Sequence, residues 1–426
     1  MEKHDRKVFS WAMYDWANSA FSTTVMAGFF PVFFKQYWSA GIDPTVSTLQ
    51  LGTANSVASV IVALMSPTLG AIADRGSIRK KFLLFFAAMG IVMTGSLYFV
   101  ARGDWQVAVA LYVLAIIGFA GGNVFYDSLL PTLVPEEKMD TVSALGFSLG
   151  YLGGGLLFAL NVAMTRWPST FGLADAAQAV RVSFLSVMVW WGVFSIPVFL
   201  FVDEPKAKSA GRGGIMAIRE GFRQLAATFR KIRKLRVAFL FLIAYWFYID
   251  GVDTIILMAV DYGMSLGFSS TSLILALLIT QFVGFPSAIA FGEIGRRFGA
   301  KKGIYLAIAV YVGVTVWGFF MSREVEFYVL AAVIGTVQGG VQSLSRSFYA
   351  RLIPAGQSAE FFGFYGFLGK FAAVVGPVLM GWTAVITGSS RVSILAVSLL
   401  LVIGAVMLSR VNEDEGRRLA EQMEMD

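Results

Sequence analysis

The 426-residue chain has no cysteine and a single histidine, His4. Without thiols there is no disulfide, no thiolate nucleophile and no Cys/His metal centre, and one imidazole cannot supply a His ligand set. Charge is scarce as well: Asp, Glu, Lys and Arg make up 14% of the residues, against about 25% in ordinary soluble domains. Long polar stretches are missing, and the longest, 203–236, has about 34 residues, too few to house a sensory or catalytic domain between the apolar runs. Phosphate-binding loops are missing too. The Gly-rich "GYLGGG" (150–155) follows no strand and is not followed by Lys-Ser/Thr, so it reads as a surface for close helix contact. With no nucleotide-binding cassette, ATP-driven transport would require another subunit, and no cofactor is implied.

What the chain has in abundance is apolar bulk. Hydrophobic residues account for 57%, mean hydropathy is +0.70, and there are 38 Phe beside 44 Gly. This is the composition of a polytopic helical membrane protein, with apolar bulk for lipid and small residues where helices touch. A spanning helix takes about 20 mostly apolar residues. Windows of that kind fall near 8–36, 48–73, 81–101, 105–128, 141–164 and 183–202, and again near 237–262, 271–291, 303–322, 327–349, 362–387 and 391–410. The first apolar run is too long for a cleaved leader and lacks a small-residue cleavage site, so it is expected to be retained.

Lys and Arg set the orientation. With the N-terminus in the cytoplasm, the inner segments hold Lys3, Arg6, Lys7, "DRGSIRKK" (74–81), ten basic residues in 203–236, "RRFGAKK" (296–302), Arg410, Arg417 and Arg418. The outer loops hold Arg102, Arg166, Arg181, Arg323 and Arg391, an asymmetry of about five to one. Both termini are therefore expected in the cytoplasm of a cell membrane, the inner membrane for a bacterial source. The same distribution accounts for the net charge of +7 without nucleic acid. Four parts follow: a six-helix half (1–202), a basic linker (203–236), a second six-helix half (237–410) and a polar tail (411–426) expected to fray. In the linker, Ile218, Phe222, Leu225, Phe229 and Ile232 recur at helical spacing among Arg and Lys, consistent with either an amphipathic helix on an anionic leaflet or a solvated linker.

The halves repeat. "GAIADRGSIRKK" (70–81) follows the second window and "GEIGRRFGAKK" (292–302) the eighth; "LVPEEK" (133–138) follows the fourth and "LIPAGQ" (352–357) the tenth. The offsets are 219 to 222 residues. Parallel six-helix repeats are the architecture of major facilitator transporters. "GAIADRGSIRKK" resembles the signature loop of that superfamily. The resemblance implies that Gly70 permits tight helix contact and that Asp74 and Arg75 latch the cytoplasmic side when the carrier opens outward. In the second copy Arg296 stands where Asp is expected, and Glu293 reads as solvated. "YDWANSAF" (14–21), "YIDGVDTIILMA" (248–259) and "QSLSRSFYARLIPAGQSAEFFGFYGFLGKFAAVVGP" (342–377) further resemble the bacterial major facilitators related to the yeast autophagy-linked vacuolar effluxer. That resemblance implies secondary transport, with amino-acid efflux proposed for the yeast relative.

A charge at the centre of a spanning helix costs about 2.5–3.5 kcal/mol on insertion scales, so each needs a reason. In window one, Asp15, Asn18 and Ser22 share a face; in window seven, Asp250, Asp253, Thr254 and Asp261 do. Window four ends in Asn123, Tyr126 and Asp127, and window ten carries Gln338, Gln342 and Arg346 at i+4 spacing. In the major facilitator fold helices 1, 4, 7 and 10 line the central cavity, so Asp15, Asn18, Asn123, Asp250, Asp253, Gln338, Gln342 and Arg346 are the candidates for substrate or proton coupling. Two carboxylates as close as Asp250 and Asp253 repel when both are charged, which suits reversible proton binding. By helical rise these two lie about 20–24 Å in, whereas Asp15 lies nearer the inner face. Asp127 and Arg346 are related by the repeat and read equally as a cytoplasmic gate pair, together with Asp74, Arg75 and Lys370. Lys370 and Arg346 are the cations that a substrate carboxylate would want, or else neutralise an Asp across a helix contact. The amides Gln50, Asn55, Asn161 and Gln281 read as interhelical hydrogen bonds, and Trp11, Trp16, Trp38, Trp105, Trp167 and Tyr37 as interfacial belt residues.

The expected protein is thus an all-α, twelve-helix membrane protein of two pseudo-symmetric halves. It is read as a monomeric, non-enzymatic secondary transporter of a small-molecule solute, an amino acid or similar zwitterion, with protons as coupling ion. Export of a larger amphipathic compound (a drug, siderophore or lipid) remains the alternative within transport, and a membrane receptor the alternative outside it.

Overall fold

A computed structural model describes residues 3–42, 44–204, 230–266, 268 and 270–425. The linker residues Ile218, Phe222, Leu225 and Phe229 lie outside the described residues, as do the side chains of Arg75, Asp261 and Lys370. Among the described residues there is no strand, as expected of a chain whose backbone must satisfy its own polar groups in lipid.

The first helical run, α1, begins as Lys3–Ala20 and continues through Phe21–Phe29, Phe30–Phe33 and Phe34–Trp38, where Phe21–Phe29 and Phe34–Trp38 are wound as π-helix. It is followed by α2 (Pro44–Gly76), α3 (Arg79–Ser96), α4 (Trp105–Leu133), α5 (Glu136–Arg166) and α6 (Ala176–Phe201). The second half comprises α7 (Arg236–Ser265), α8 (Ser270–Phe298), α9 (Ala300–Phe320), α10 (Glu324–Arg351), α11 (Ser358–Thr387) and α12 (Ser390–Ser409). Among the described residues, ten helices are long and apolar enough to cross a membrane. Together with the runs α1 and α11 they are consistent with the twelve expected windows.

The repeat is visible in matching contacts. At the start of α3, Lys80 Nζ donates to the carbonyls of Phe199 (2.8 Å) and Val202 (2.6 Å) at the end of α6. At the start of α9, Lys301 Nζ donates to those of Ser409 (3.2 Å) and Val411 (2.7 Å) at the end of α12. Each lysine satisfies orphan carbonyls at the negative end of a helix dipole. The halves meet along α2 with α11 and α5 with α8. The "GYLGGG" run lets α5 lie directly on α1, since a Cβ at Gly153 would stand 2.6 Å from the Trp16 carbonyl oxygen.

The starts of α1, α3, α7 and α9 and the ends of α6, α10 and α12 lie at one end of the bundle, which we call the basic end. Lys7 pairs there with Asp203, and Glu204 accepts the Arg79 backbone N–H. The tail that was expected to fray is instead a helix, α13 (Glu413–Met425). It is held because its acidic residues meet the basic ends of the bundle. Glu413 accepts from Arg351 Nε at 2.9 Å, Arg417 reaches Glu136 of the other half at 3.3 Å, and Glu415 pairs with Arg236. Gly416 and Ala420 are buried against the bundle. The Arg417–Glu136 pair is about 40% exposed, so its share of stability is about 0–1 kcal/mol.

Two belt assignments fail. Trp11 and Trp38 are wholly buried. Trp11 stacks on Tyr126 with ring centroids 4.4 Å apart and donates its indole N–H to the Tyr126 carbonyl at 3.1 Å; Trp38 donates to the Val100 carbonyl at 3.4 Å. Each indole found its hydrogen bond inside the protein, so neither needs the wet membrane interface.

Candidate translocation site

α4 and α10 hold equivalent places in the two halves and bring Asp127 and Arg346 together across the middle of the molecule, 219 residues apart in sequence. Arg346 Nη1 donates to Asp127 Oδ1 at 2.9 Å and to Asp15 Oδ2 at 3.3 Å. Nη2 donates to Asp15 Oδ2 at 3.4 Å and to the Ser143 carbonyl at 2.8 Å, and Nε donates to Ser143 Oγ at 2.9 Å. A guanidinium has five N–H donors, and all of them are used here. Arg346 is 3% exposed, with the Phe147 ring centroid 4.3 Å from its guanidinium carbon. Tyr126 adds a hydrogen bond to Asp15 Oδ2 at 2.8 Å. The sequence permits this crowding at Gly146, where a Cβ would lie 2.5 Å from Asp15 Oδ2 and 3.0 Å from Arg346 Nη2.

The seam is tied again on either side of this group. Arg351 Nη1 donates to Asp140 Oδ1 at 2.9 Å, Ser347 donates to the same carboxylate, and Ser143 Oγ donates to the Ser343 carbonyl at 2.8 Å. Asp74 accepts the first-turn N–H groups of α11 from Ala359 (3.1 Å) and Glu360 (2.8 Å), where a helix N-terminus favours an anion. Its basic partner is Arg79, Nε to Oδ1 at 2.7 Å, and Arg79 also donates to the Ala355 and Gly356 carbonyls at 3.2 Å. The second signature loop makes no such contact: Glu293 is taken up by Arg296 and Arg297 on its own helix. These contacts tie the two halves together at the basic end.

Directly beyond the seal lies a cavity of about 280 Å³ between the halves. Asn123 and Asp127 of α4, Asp253 of α7 and Gln342 and Arg346 of α10 give its polar lining; Phe119, Phe147, Tyr245, Phe362 and Tyr365 give it aromatic walls. Asp15 and Asn18 are not among the lining side chains. Asp15 buttresses Arg346, and Asn18 donates to Asn123 Oδ1 at 2.6 Å, holding that amide from behind. Gln342 Oε1 accepts from Tyr151 at 3.2 Å. Gln338 lines a separate, mainly apolar cavity of about 120 Å³ within the second half, along with Gln281. The expected face of α1 thus gives way to α2, α5 and α11 as contributors.

The two carboxylates of α7 part company. Asp253 faces the cavity, whereas Asp250, 1% exposed, faces α11 and accepts the Gly376 N–H at 3.0 Å and the Thr254 hydroxyl at 3.4 Å. Gly376 precedes Pro377, so Asp250 fixes α7 to the turn of α11 that holds its internal proline. Asp250→Ala should cost about 1–3 kcal/mol by orphaning that buried N–H, whereas Asp250→Asn keeps an acceptor oxygen and should melt within about 1 kcal/mol of the parent. Thermal unfolding of the two purified variants checks this, and equal losses would rule out a pin made by hydrogen bonding.

Asp140, Ser143 and Arg351 escaped the sequence reading. Asp140 stands five residues after Pro135 at the start of α5, and Arg351 is the last residue of α10. The signal available was their flanking of the repeated Leu-Val-Pro and Leu-Ile-Pro landmarks. Asn161, read as an interhelical amide, does accept from Ser186 of α6 at 3.0 Å.

Comparison with known proteins agrees with this architecture. "Uncharacterized MFS-type transporter YxiO" of Bacillus subtilis is 38% identical over 424 residues, covering 99% of this chain and 98% of that protein. "Autophagy-related protein 22" of Coccidioides immitis is 23% identical and covers 98% of this chain and 88% of its own. The crystal structure of the human organic anion transporter MFSD10 superposes with a TM-score of 0.74 at 16% identity, covering 96% of this chain and all of that one, which speaks for the fold alone. The family described as "Vacuole effluxer Atg22 like" matches residues 40–421, and the chain belongs to it as a transporter of the major facilitator type.

Proposed function

We propose that the protein is a secondary active transporter of a small polar solute, an amino acid or similar zwitterion, working as a proton-coupled exporter by rocking its halves about the central cavity. The observation that carries this reading is the placement of a polar cavity immediately beyond a seal built from both halves. Rocking the halves apart at the basic end would break that seal and expose the same cavity from the other side. The excess of Lys and Arg at the basic end favours placing it, and both termini, in the cytoplasm. Asp127 and Asp253 in the lining, with Asp15 behind them, offer carboxylates for a coupling proton. Export of a larger amphipathic compound finds support in the aromatic walls, but about 280 Å³ is at the small end of ligand sites.

The test is flux. Purified protein in liposomes should move labelled amino acids against their gradient when a proton gradient is imposed, and Asp253→Asn should leave downhill exchange while removing the response to the gradient. Should no amino acid move with or without the gradient, the proposal fails; should Asp253→Asn remain fully coupled, the proton site lies elsewhere.

A further inference from the structure

We infer that the second half carries a binding site of its own. The cavity between α7, α8 and α10 takes a small neutral molecule whose head both donates and accepts hydrogen bonds, an amide or alcohol on a short alkyl body. This cavity shares no described lining residue with the central one. Every described lining residue belongs to the second half, so rocking the halves as bodies leaves the site assembled.

The walls are mainly apolar, with Ile255, Leu277, Val314, Phe327, Leu330 and Ile334 among them. Two of the polar side chains are already spent. The Tyr262 hydroxyl donates to the Gly318 carbonyl at 2.7 Å, and that of Thr280 is shared between the carbonyls of Ala276 (3.0 Å) and Ala331 (3.1 Å). Gln281 of α8 and Gln338 of α10 are different. Among the described residues neither amide has a hydrogen-bond partner, although Gln281 is only 8% exposed. Each amide offers two donors and an acceptor oxygen. On a buried side chain such groups are costly when unmade, and an occupant that pairs with them regains that cost. A head that donates and accepts serves both amides at once.

The described lining holds no side chain charged at neutral pH. By helical register Asp261 falls on the Asp250 side of α7, across the helix from Ile255, Ala259 and Tyr262. An ionic head would enter desolvated and uncompensated, so the head is neutral. A closed apolar cavity of about 150 Å³ takes benzene, and the 120 Å³ here suits a molecule of about five or six heavy atoms.

The lack of cysteine allows a direct test. Ala331→Cys places one thiol in the lining, and its alkylation by iodoacetamide, itself a small neutral amide, is followed by mass spectrometry on the full-length purified protein. Butyramide and butan-1-ol should each slow the reaction about fivefold or more at saturation, whereas butyrate and butylammonium should not at about tenfold higher concentration. Adding Gln281→Met or Gln338→Met, which keeps the shape and removes the amide, should weaken the protection by butyramide about tenfold. Ala259→Leu fills the cavity, should abolish protection, and serves if a Met variant does not fold. Thr170→Cys, in an exposed loop, is the control that no probe should protect. If the Ala331→Cys thiol does not react, saturation-transfer NMR of the four probes on the parent protein and the Met variants reads the same comparison. The inference is overturned if the ions protect as well as the neutral probes, if protection survives loss of both amides, or if no probe binds, which would leave the amides to water alone.

Discussion

Arg346→Ala is expected to lower stability by about 3–5 kcal/mol, the largest loss of any single substitution in the seam. The reason lies in the count of charges. Arg346 compensates both Asp15 and Asp127, and removing it leaves two buried carboxylates facing each other with the Ser143 carbonyl and hydroxyl also losing a donor. Removing one carboxylate is different, because the remaining Arg–Asp pair is neutral. Asp15→Asn, which also keeps an acceptor for Tyr126, should therefore cost under about 1.5 kcal/mol. Arg346→Lys should not rescue, since an ammonium has three donors and no planar fork with which to reach four separate groups. Replacing all three together, with Asp15→Asn, Asp127→Asn and Arg346→Gln, should recover most of the lost stability, as neutral replacement of a buried ion group commonly does. Chemical unfolding of the purified variants gives the ranking. Equal losses for Arg346→Ala and Asp15→Asn would show that the guanidinium is not the compensating charge. Transport should be lost in both the alanine and the triple variant, because the seam no longer closes around a charge.

Much of this arrangement was legible in the chain. The hydrophobic windows fixed the helices because each must satisfy its backbone alone in lipid, and the repeated loops fixed the two halves. Asp127 and Arg346 were paired by the repeat before any coordinate, and they meet at 2.9 Å. What periodicity could not supply was which side of a polar face meets which neighbour. Asp250 and Asp253 share one face of α7, yet a helix in a bundle has neighbours on several sides, so one carboxylate accepts the Gly376 N–H in the middle of α11 and the other lines the cavity. Asp15 and Asn18 lie on a comparable face of α1, but α4 and α10 reach them first. The tail misled for a related reason. Its acidic character reads as solvated, and only the fold shows that the basic ends of α7 and α10 lie beneath it.

The seam's other decisive position is uncharged. Gly70→Ala is expected to shift the population away from the closed basic end by about 5–150-fold, corresponding to about 1–3 kcal/mol of overpacking. A Cβ at Gly70 would overlap the Ala359 carbonyl and stand 2.8 Å from the Glu360 nitrogen. These are backbone atoms of the α11 N-terminus, so no side-chain rotation relieves the clash, and α2 must back away from α11. Asp74, one helical turn along α2, would then lose the N–H groups of those same two residues. The penalty falls on the closed state alone, because the contact is made only where the halves meet there. Stability of the fold should accordingly change little while accessibility changes strongly. The absence of cysteine makes this measurable with one introduced thiol: Ser128→Cys lies wholly buried in the seal, and its rate of alkylation by a bulky maleimide reports opening of the basic end. Gly52→Ala, whose Cβ would meet nothing within 4 Å, is the control and should leave that rate unchanged. If Gly70→Ala labelled no faster than the control, the α2–α11 contact would not limit closure, and the ion group around Arg346 would have to hold the seam by itself.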